Sequence, residues 1–404
     1  MILNILCFFA LVFLWYLTYR IFFCNLNHES NGGGDQTKSW KTTIKKTGNR
    51  TRNSQFKKRQ WINMKKTLLA LAVLAAAGSV NAAEIYSSEN TSVGLKGEID
   101  AYAIQSEVTK ETVKTKSSAD FSAKGKIQLD ASHKLANGLD TFGSFEIENS
   151  TDKRDAKFDD LYVGVKGEMW GVAVGETGDF AESFDAIQKT DIANEGNYIG
   201  LDRPYESATD GLALKLTPAG GLTLVADVYT NTDDKLDNSY GLSANYAVDI
   251  FSIGASYNNS EVKEGYDASS YGVSASVDVA GFFFAATYLS TEGLSTLGAT
   301  DIDGVESTKG AVEGDVWNFA ASYQIDALRL YTTYAYGDFD KYVDFTNVAV
   351  KESINGKIDD LVVGVDYAVS KNILLLAEYE VAKGKKDFAD NKYQDITFGV
   401  YYKF

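Results

Sequence analysis

Cysteine and histidine are nearly absent from this chain, and their scarcity excludes several kinds of chemistry. Both cysteines, Cys7 and Cys24, lie near the N-terminus, so the chain after Ala82 has no residue for a disulfide, a zinc–thiolate site or a thiol nucleophile. His133 is the one histidine after Ala82, and it stands beside a predicted tight turn with no nucleophile in register. No phosphate-binding loop is found. The sequence therefore argues against an enzyme and implies no cofactor and no metal.

Long apolar runs are also missing after Ala82. The longest uncharged stretch there, Val279 to Thr291, is too short for a helix that crosses a bilayer, so any membrane span must be made of strands. Twelve of the 39 basic residues and two of the 55 acidic residues precede Ala83, which leaves the remainder with a net charge of about −26. A chain this acidic repels phosphates and is a poor candidate for binding nucleic acid.

Two hydrophobic segments precede the acidic part. Residues 64–82 open with a methionine and two lysines, continue with an apolar core and end on small residues, which is the pattern of a cleaved secretory signal peptide. We interpret residues 1–63 as an over-extended gene start, with a genuine N-terminal anchor as the alternative. The mature chain is expected to begin near Ala83 or Glu84 and to form one domain over 83–404.

Alternation of apolar and polar residues dominates that domain. A strand with lipid on one side and water on the other alternates with period two over about ten residues. Sixteen such runs follow one another, with nothing helical between them. They span about 91–103, 120–132, 138–148, 157–166, 169–176, 208–217, 221–229, 239–248, 251–259, 269–279, 281–290, 315–325, 328–338, 358–369, 372–382 and 393–404.

The connections alternate as well. Tight turns such as Ala280-Gly281 join the members of a pair, whereas long polar segments at 104–119, 291–314 and 339–357 join one pair to the next. Short turns at one rim and long loops at the other are typical of outer-membrane barrels. The fold class predicted is all-β: a 16-stranded antiparallel transmembrane β-barrel with short periplasmic turns and long outer loops. The alternative is a secreted all-β protein that packs its apolar face into a core.

Several motifs resemble the trimeric general diffusion porins of gamma-proteobacteria. Thr91 to Gly97 (TSVGLKG) is similar to the family's first strand, and Ala123-Lys124-Gly125 occupies its second-strand "LKG" position. Leu161 to Gly167 (LYVGVKG) is similar to the family's "FVGLKG" strand. The chain also ends on the aromatic residue of the family's assembly signal, which here comprises Phe398, Val400, Tyr402 and Phe404.

The resemblance implies a water-filled channel in the Gram-negative outer membrane through which ions and small hydrophilic solutes diffuse passively. It also implies a homotrimer. The partners would be outer-membrane lipid, lipopolysaccharide, periplasmic chaperones and the barrel-assembly machinery.

A constriction is implied by the same resemblance, because the third long loop of such porins folds into the barrel. The corresponding segment here is Thr177 to Arg203. Its acidic candidates are Asp179, Glu182, Asp185, Asp191 and Glu195. The basic residues that could face them are Lys96, Lys124, Lys126, Arg203, Lys215 and Arg329. The chain departs from the family at Val174-Gly175-Glu176, where an acid replaces the arginine of the usual "LGR" ending.

Acidic residues on the polar face predict a preference for cations, since carboxylates that line a pore favour positive ions. They are Glu98, Asp100, Asp227, Asp278, Asp366, Glu378 and Glu380. Two other functions stay open: a substrate-selective channel, for sugars for instance, and a structural or adhesive barrel without an open pore. An aromatic track along the lumen would favour the sugar channel, but the predicted inward rings, Tyr229, Phe283, Tyr331 and Tyr401, are scattered.

Overall fold

A computed structural model describes residues 83–110, 112–151, 153–196, 210–231, 235–294, 310–388 and 391–404. The predicted signal peptide and the segment before it lie outside these residues, and so does Arg203. No helix among the described residues is long and apolar enough to cross a membrane.

Eighteen strands account for most of the described chain. They are β1 (Ala83–Ser87), β2 (Thr91–Lys110), β3 (Val113–Lys116), β4 (Asp120–Lys134), β5 (Asp140–Ser150), β6 (Lys153–Lys166), β7 (Trp170–Gly175), β8 (Asp210–Ala219), β9 (Leu222–Thr230), β10 (Ser239–Val248), β11 (Phe251–Lys263), β12 (Tyr266–Val279), β13 (Phe282–Leu294), β14 (Gly310–Ile325), β15 (Leu328–Asp344), β16 (Lys351–Ser370), β17 (Ile373–Lys386) and β18 (Lys392–Lys403).

Sixteen of these strands form one closed antiparallel sheet. From β4 to β18 each strand pairs with the next, and β2 pairs with β4 along one edge and with β18 along the other. The remaining two, β1 and β3, are short additions to β2. The predicted 16-stranded barrel is confirmed, and the observed strands overlap all sixteen predicted runs.

The closing seam is built from the two ends of the domain. Phe404 and Gly97 exchange backbone hydrogen bonds, with N–O distances of 2.9 and 3.0 Å, and the Phe404 ring lies where a side chain on residue 97 would be. Below this pair, Ala83 of β1 stands opposite Leu95 on the same edge of β2. β1 therefore continues the line of β18, so β2 is paired along its whole length.

Burial shows which face of the sheet meets lipid. Ile253, Val273 and Phe284 point outward and keep 58%, 52% and 49% of their surface exposed. On the same strands Asn258 and Ser274 point inward and are buried. This is the reverse of a soluble sandwich, in which the apolar face would be the buried one. The alternation therefore reports a lipid-facing exterior and a polar lumen.

The turns at one rim are as short as predicted. Ala280 and Gly281 have φ values of +53° and +82°, which is the backbone of a two-residue hairpin turn whose twist matches that of its strands.

The long connections differ from the prediction, because strands occupy part of each. β2 continues to Lys110, β14 begins at Gly310, and β15 and β16 pair as far out as Val343 and Lys351. Beyond the bilayer both faces of a strand can be polar, so the sequence pattern fades while the backbone pairing continues. The segments 104–119, 291–314 and 339–357 are therefore partly strand rather than wholly loop.

Candidate functional site

The segment after β7 turns into the barrel, and it is the described part of the predicted third loop. It holds a short 3-10 helix, Ser183–Ile187, whose residues are mostly buried. The Ser183 N–H donates to Asp227 at 2.5 Å, and its hydroxyl donates to the Asn258 side-chain oxygen at 2.8 Å. Both acceptors are inward residues of the wall. The inward fold of this loop, expected from the resemblance, is confirmed.

Glycine on the wall lets the helix lie close to the sheet. A Cβ at Gly241 would overlap the Ser183 hydroxyl, and a Cβ at Gly254 would overlap the Ala186 carbonyl oxygen. At residues 241 and 254, inward positions of β10 and β11, the wall thus has no side chain where the helix passes. The lumen on this side is filled by the loop.

A carboxylate on β17 holds the far end of the segment. Glu378 accepts backbone N–H bonds from Asn194, Glu195 and Gly196 at 2.6, 2.7 and 2.9 Å. The Tyr331 hydroxyl also donates to Glu378, at 2.5 Å. Hydrogen bonds to a charged acceptor are stronger than neutral ones, by roughly a factor of two, so this cluster is a strong point of attachment.

Arg329 makes a second attachment beside it. Its guanidinium donates to Asp366 at 2.5 and 2.8 Å, to the Ile192 carbonyl oxygen at 3.2 Å and to the Asn194 side chain at 3.4 Å. The residue is 3% exposed. Arg329 was a candidate for the basic wall of the pore. Its charge is neutralised by Asp366, and its guanidinium attaches the loop to the barrel wall.

The five acidic candidates of the loop are not equivalent. Asp179 and Asp185 are exposed to the lumen, whereas Glu182 and Asp191 are 4% exposed and lie within the packed segment. Glu195 is half-buried and accepts a bond of 2.5 Å from Tyr401. Burial raises the pKa of this Glu195 carboxyl, while nearby Lys124 and the hydrogen bond from Tyr401 oppose the rise.

The lysine candidates stand on β2, β4 and β8, and acids or aromatic rings accompany them. Lys96 lies 3.5 Å from Asp130, and Lys126 lies 3.0 Å from Glu146. The Lys124 ammonium is 5.2 Å from the Tyr102 ring centre. Separately, Lys215 lies 3.5 Å from the carbonyl oxygen of Phe180.

An acidic group on β5 and β6 was missed by the sequence analysis. Glu146, Glu148 and Asp159 bring carboxylate oxygens within 4.8 Å of one another. A register shift after Ser144 places Asp159 opposite Glu146, and Asp160 has a φ of +51°. Alternation turns Glu146 and Glu148 inward, and the bulge adds Asp159 to them, for which the residue pattern gave no signal.

Several inward acids have a structural role instead of the pore role that the sequence suggested. Asp227, Asp366 and Glu378 are buried and hold the loop, as described above. Tyr331 and Tyr401, two of the scattered inward rings, donate hydrogen bonds to Glu378 and Glu195. The sequence placed all five side chains in the lumen but gave no sign of their partner.

Apolar side chains fill part of the lumen. Val316, Phe339 and Ile358 point inward from β14, β15 and β16, are fully buried, and pack in one cluster with Phe184 and Ile187 of the loop. By contrast, Lys96 on β2 and Asp130 on β4 have side chains 38% and 42% exposed. Water therefore reaches the lumen beside β2 and β4.

Comparison with known proteins agrees with this geometry. The sequence model of the family described as Gram-negative porin matches residues 68–387. Outer membrane porin OmpD of Salmonella typhimurium is 28% identical over 388 residues, which cover 85% of this chain and 97% of that protein. Porin-like protein L of Photobacterium profundum is 26% identical and covers 78% of this chain and 92% of its own length.

Solved structures give the same fold. OmpF of Salmonella typhi, in a complex with daunomycin, has a TM-score of 0.58 at 19% identity and covers 80% of this chain and all of that one. An anion-selective porin from Comamonas acidovorans has the same TM-score at 14% identity, covering 78% and 100%. The closed barrel, the inward loop and the extent of the family match lead to one conclusion: the chain belongs to the Gram-negative porin family and is an outer-membrane porin.

Proposed function

We propose that passive diffusion through this porin favours cations. The observation that carries the proposal is the charge beside the open part of the lumen. Lys96 and Lys126 are each paired with an acid, and Arg329 is buried against Asp366. Further carboxylates belong to this wall or to the inward loop. Asp179 and Asp185 are exposed and Asp159 is half-buried, whereas Glu98, Asp100 and Glu148 are buried and Glu98 pairs with Lys403. Lining charge of one sign favours ions of the other sign.

The proposed constriction lies between the exposed loop acids and the wall that bears Lys96, Lys124 and Lys126. Asp179 and Asp185 are its best acidic candidates, with Glu195 beside Lys124. Glu182 and Asp191 are too buried to act directly on a passing ion. Among the basic candidates, Arg329 supports the loop, and Arg203 lies outside the described residues.

Export and assembly are proposed as follows. Residues 64–82 are a signal peptide that is removed, and chaperones and the barrel-assembly machinery then recognise Phe398, Val400, Tyr402 and Phe404. The mature porin is a homotrimer in contact with outer-membrane lipid and lipopolysaccharide. The support for maturation near Ala83 is the sequence before it, where an apolar core ends on small residues.

Ion selectivity tests the main proposal. Reversal potentials under a KCl gradient should show K⁺ preferred over Cl⁻, and the preference should fade as salt screens the lumen charges. Asp179→Lys together with Asp185→Lys should lower the K⁺/Cl⁻ permeability ratio by at least roughly fivefold at low salt. Glu264→Lys together with Glu352→Lys, the same charge change at two exposed positions on the outer side, is the control. Preference of the unaltered channel for Cl⁻ would reject the proposal.

Because Glu378 holds the loop in place, we expect the open channel to show little current noise. Glu378→Ala removes the acceptor of three N–H bonds, each worth roughly 1.5–3 kcal/mol to a charged group, so the open-channel current noise should rise and residues 190–196 should become sensitive to protease. Glu380→Ala alters the next inward acid on β17 and should do neither. Equal noise in the two variants would contradict the attachment.

The proposed maturation site predicts the mass of the purified protein. Intact-mass spectrometry should find a chain that starts at Ala83 or Glu84. A chain that retains residues before Met64 would show that the upstream segment is translated and kept.

The last strand predicts an assembly defect. Phe404→Ala should lower the amount of folded barrel in the outer membrane several times more than Phe284→Ala, although both remove an outward ring of similar exposure. Heat-modifiable mobility on gels measures the folded fraction. Similar losses in the two variants would indicate lost packing rather than a lost signal.

A further inference from the structure

A cavity of about 410 Å³ lies in the lumen near the short-turn rim. Inward residues of β2, β4, β5 and β6 line it together with Glu84 of β1 and with Asp179 and Phe180 at the start of the inward loop. Its size falls in the range of about 300–1,000 Å³ that is usual for small-molecule sites. The short turns place it on the periplasmic side of the loop.

Three aromatic rings meet in this cavity. Phe180 stacks on Phe142 with ring centres 5.1 Å apart, and Tyr162 meets Phe142 edge-on at 6.2 Å. All three side chains are only half-buried, although most inward positions of this wall are polar. Aromatic surface left in contact with water is unfavourable, and a solute with an apolar face would cover it.

The charge at the rings is mainly negative. Glu84, Asp130 and Asp179 line the cavity, against Lys166, whose ammonium lies 5.5 Å from the Phe142 ring centre. Asp130 is already engaged, since it accepts bonds from Gln128 and Ser144 at 2.9 and 2.7 Å. Glu84 and Asp179 are exposed, so two carboxylates remain available to a ligand.

We propose that this cavity is a binding subsite for small organic cations that carry an aromatic or cyclic apolar group. The ammonium group of such a solute pairs with Asp179 and Glu84, and its ring packs against Tyr162 and Phe180. A ring face also attracts a cation directly. The proposal deepens the proposed cation preference and rests on it. In this proposal the aromatic rings bind amines. A neutral sugar could also stack on them, and the test below includes one for that reason.

Single-channel recording with defined probes tests the subsite. The probe is 2-phenylethylammonium at millimolar concentration on either side of the bilayer. It is compared with 2-phenylethanol (ring without charge), ethylammonium (charge without ring) and maltose. Only 2-phenylethylammonium should block the current. Block by 2-phenylethanol or maltose of equal strength would overturn the proposal.

Matched variants locate the block. Asp179→Asn and Tyr162→Leu should each weaken it by about three- to tenfold, the range expected for one charge contact or one cation–ring contact. Glu264→Gln also removes an exposed acid, in an outer turn, and Phe283→Leu also removes an inward ring, but neither residue lines the cavity, so both variants should change the block by less than about twofold. Equal effects of Asp179→Asn and Glu264→Gln would reject the site.

Binding measured without a current separates this proposal from the proposed function. Calorimetric titration of the detergent-solubilised porin with 2-phenylethylammonium should show binding that Asp179→Asn weakens. Binding in a channel that conducts no ions would support the subsite and reject the channel function. Ordinary conductance and no binding would reject the subsite alone.

Discussion

The hydrogen-bonded seam between β2 and β18 is the contact on which the rest of the structure depends. Hydrocarbon offers no partner to a backbone N–H or C=O group, so a sheet can stay in a bilayer only if it has no open edge. Pairing from Glu98 to Thr109 with β18, continued downward by β1, removes that edge. Once the sheet is closed, every strand must present apolar residues outward, and the polar residues are confined to the interior.

Because polar residues face the interior, charged side chains of the wall can hold the inward loop in place. In a soluble protein, Asp227 and Glu378 would be costly to bury without partners. Here they face the lumen, and the inward loop supplies backbone N–H groups that satisfy them. The same carboxylates that would give a pore its field therefore hold the segment that narrows it. Carboxylates such as Asp227 and Glu378 are occupied by these hydrogen bonds and do not act on passing ions.

The interior is divided by the path of the loop. On one side the helix lies against β10 and β11, and an apolar cluster around Phe339 fills the space near β14 to β16. On the other side the lysines and acids of β2 and β4 remain in contact with water. Solutes and ions thus meet one wall rather than a uniform ring. The cavity proposed to bind organic cations lies on this same wall, beside the residues proposed to set the ion preference.

The sequence by itself determined the barrel. A strand with lipid on one face and water on the other must alternate apolar and polar residues. Counting these alternating runs predicted sixteen strands, and inside the bilayer their predicted ends lie close to the observed ones. It did not give the outer strand extensions, such as β2 to Lys110, where water on both faces removes the pattern.

Tertiary structure alone decided how the lumen is used. Arg329 and Asp179 both read as charged lumen residues, yet one is buried against Asp366 and the other is exposed. The group of Glu146, Glu148 and Asp159 exists only through a bulge. Such differences depend on contacts between residues far apart in the chain, and a local residue pattern carries no information about those contacts.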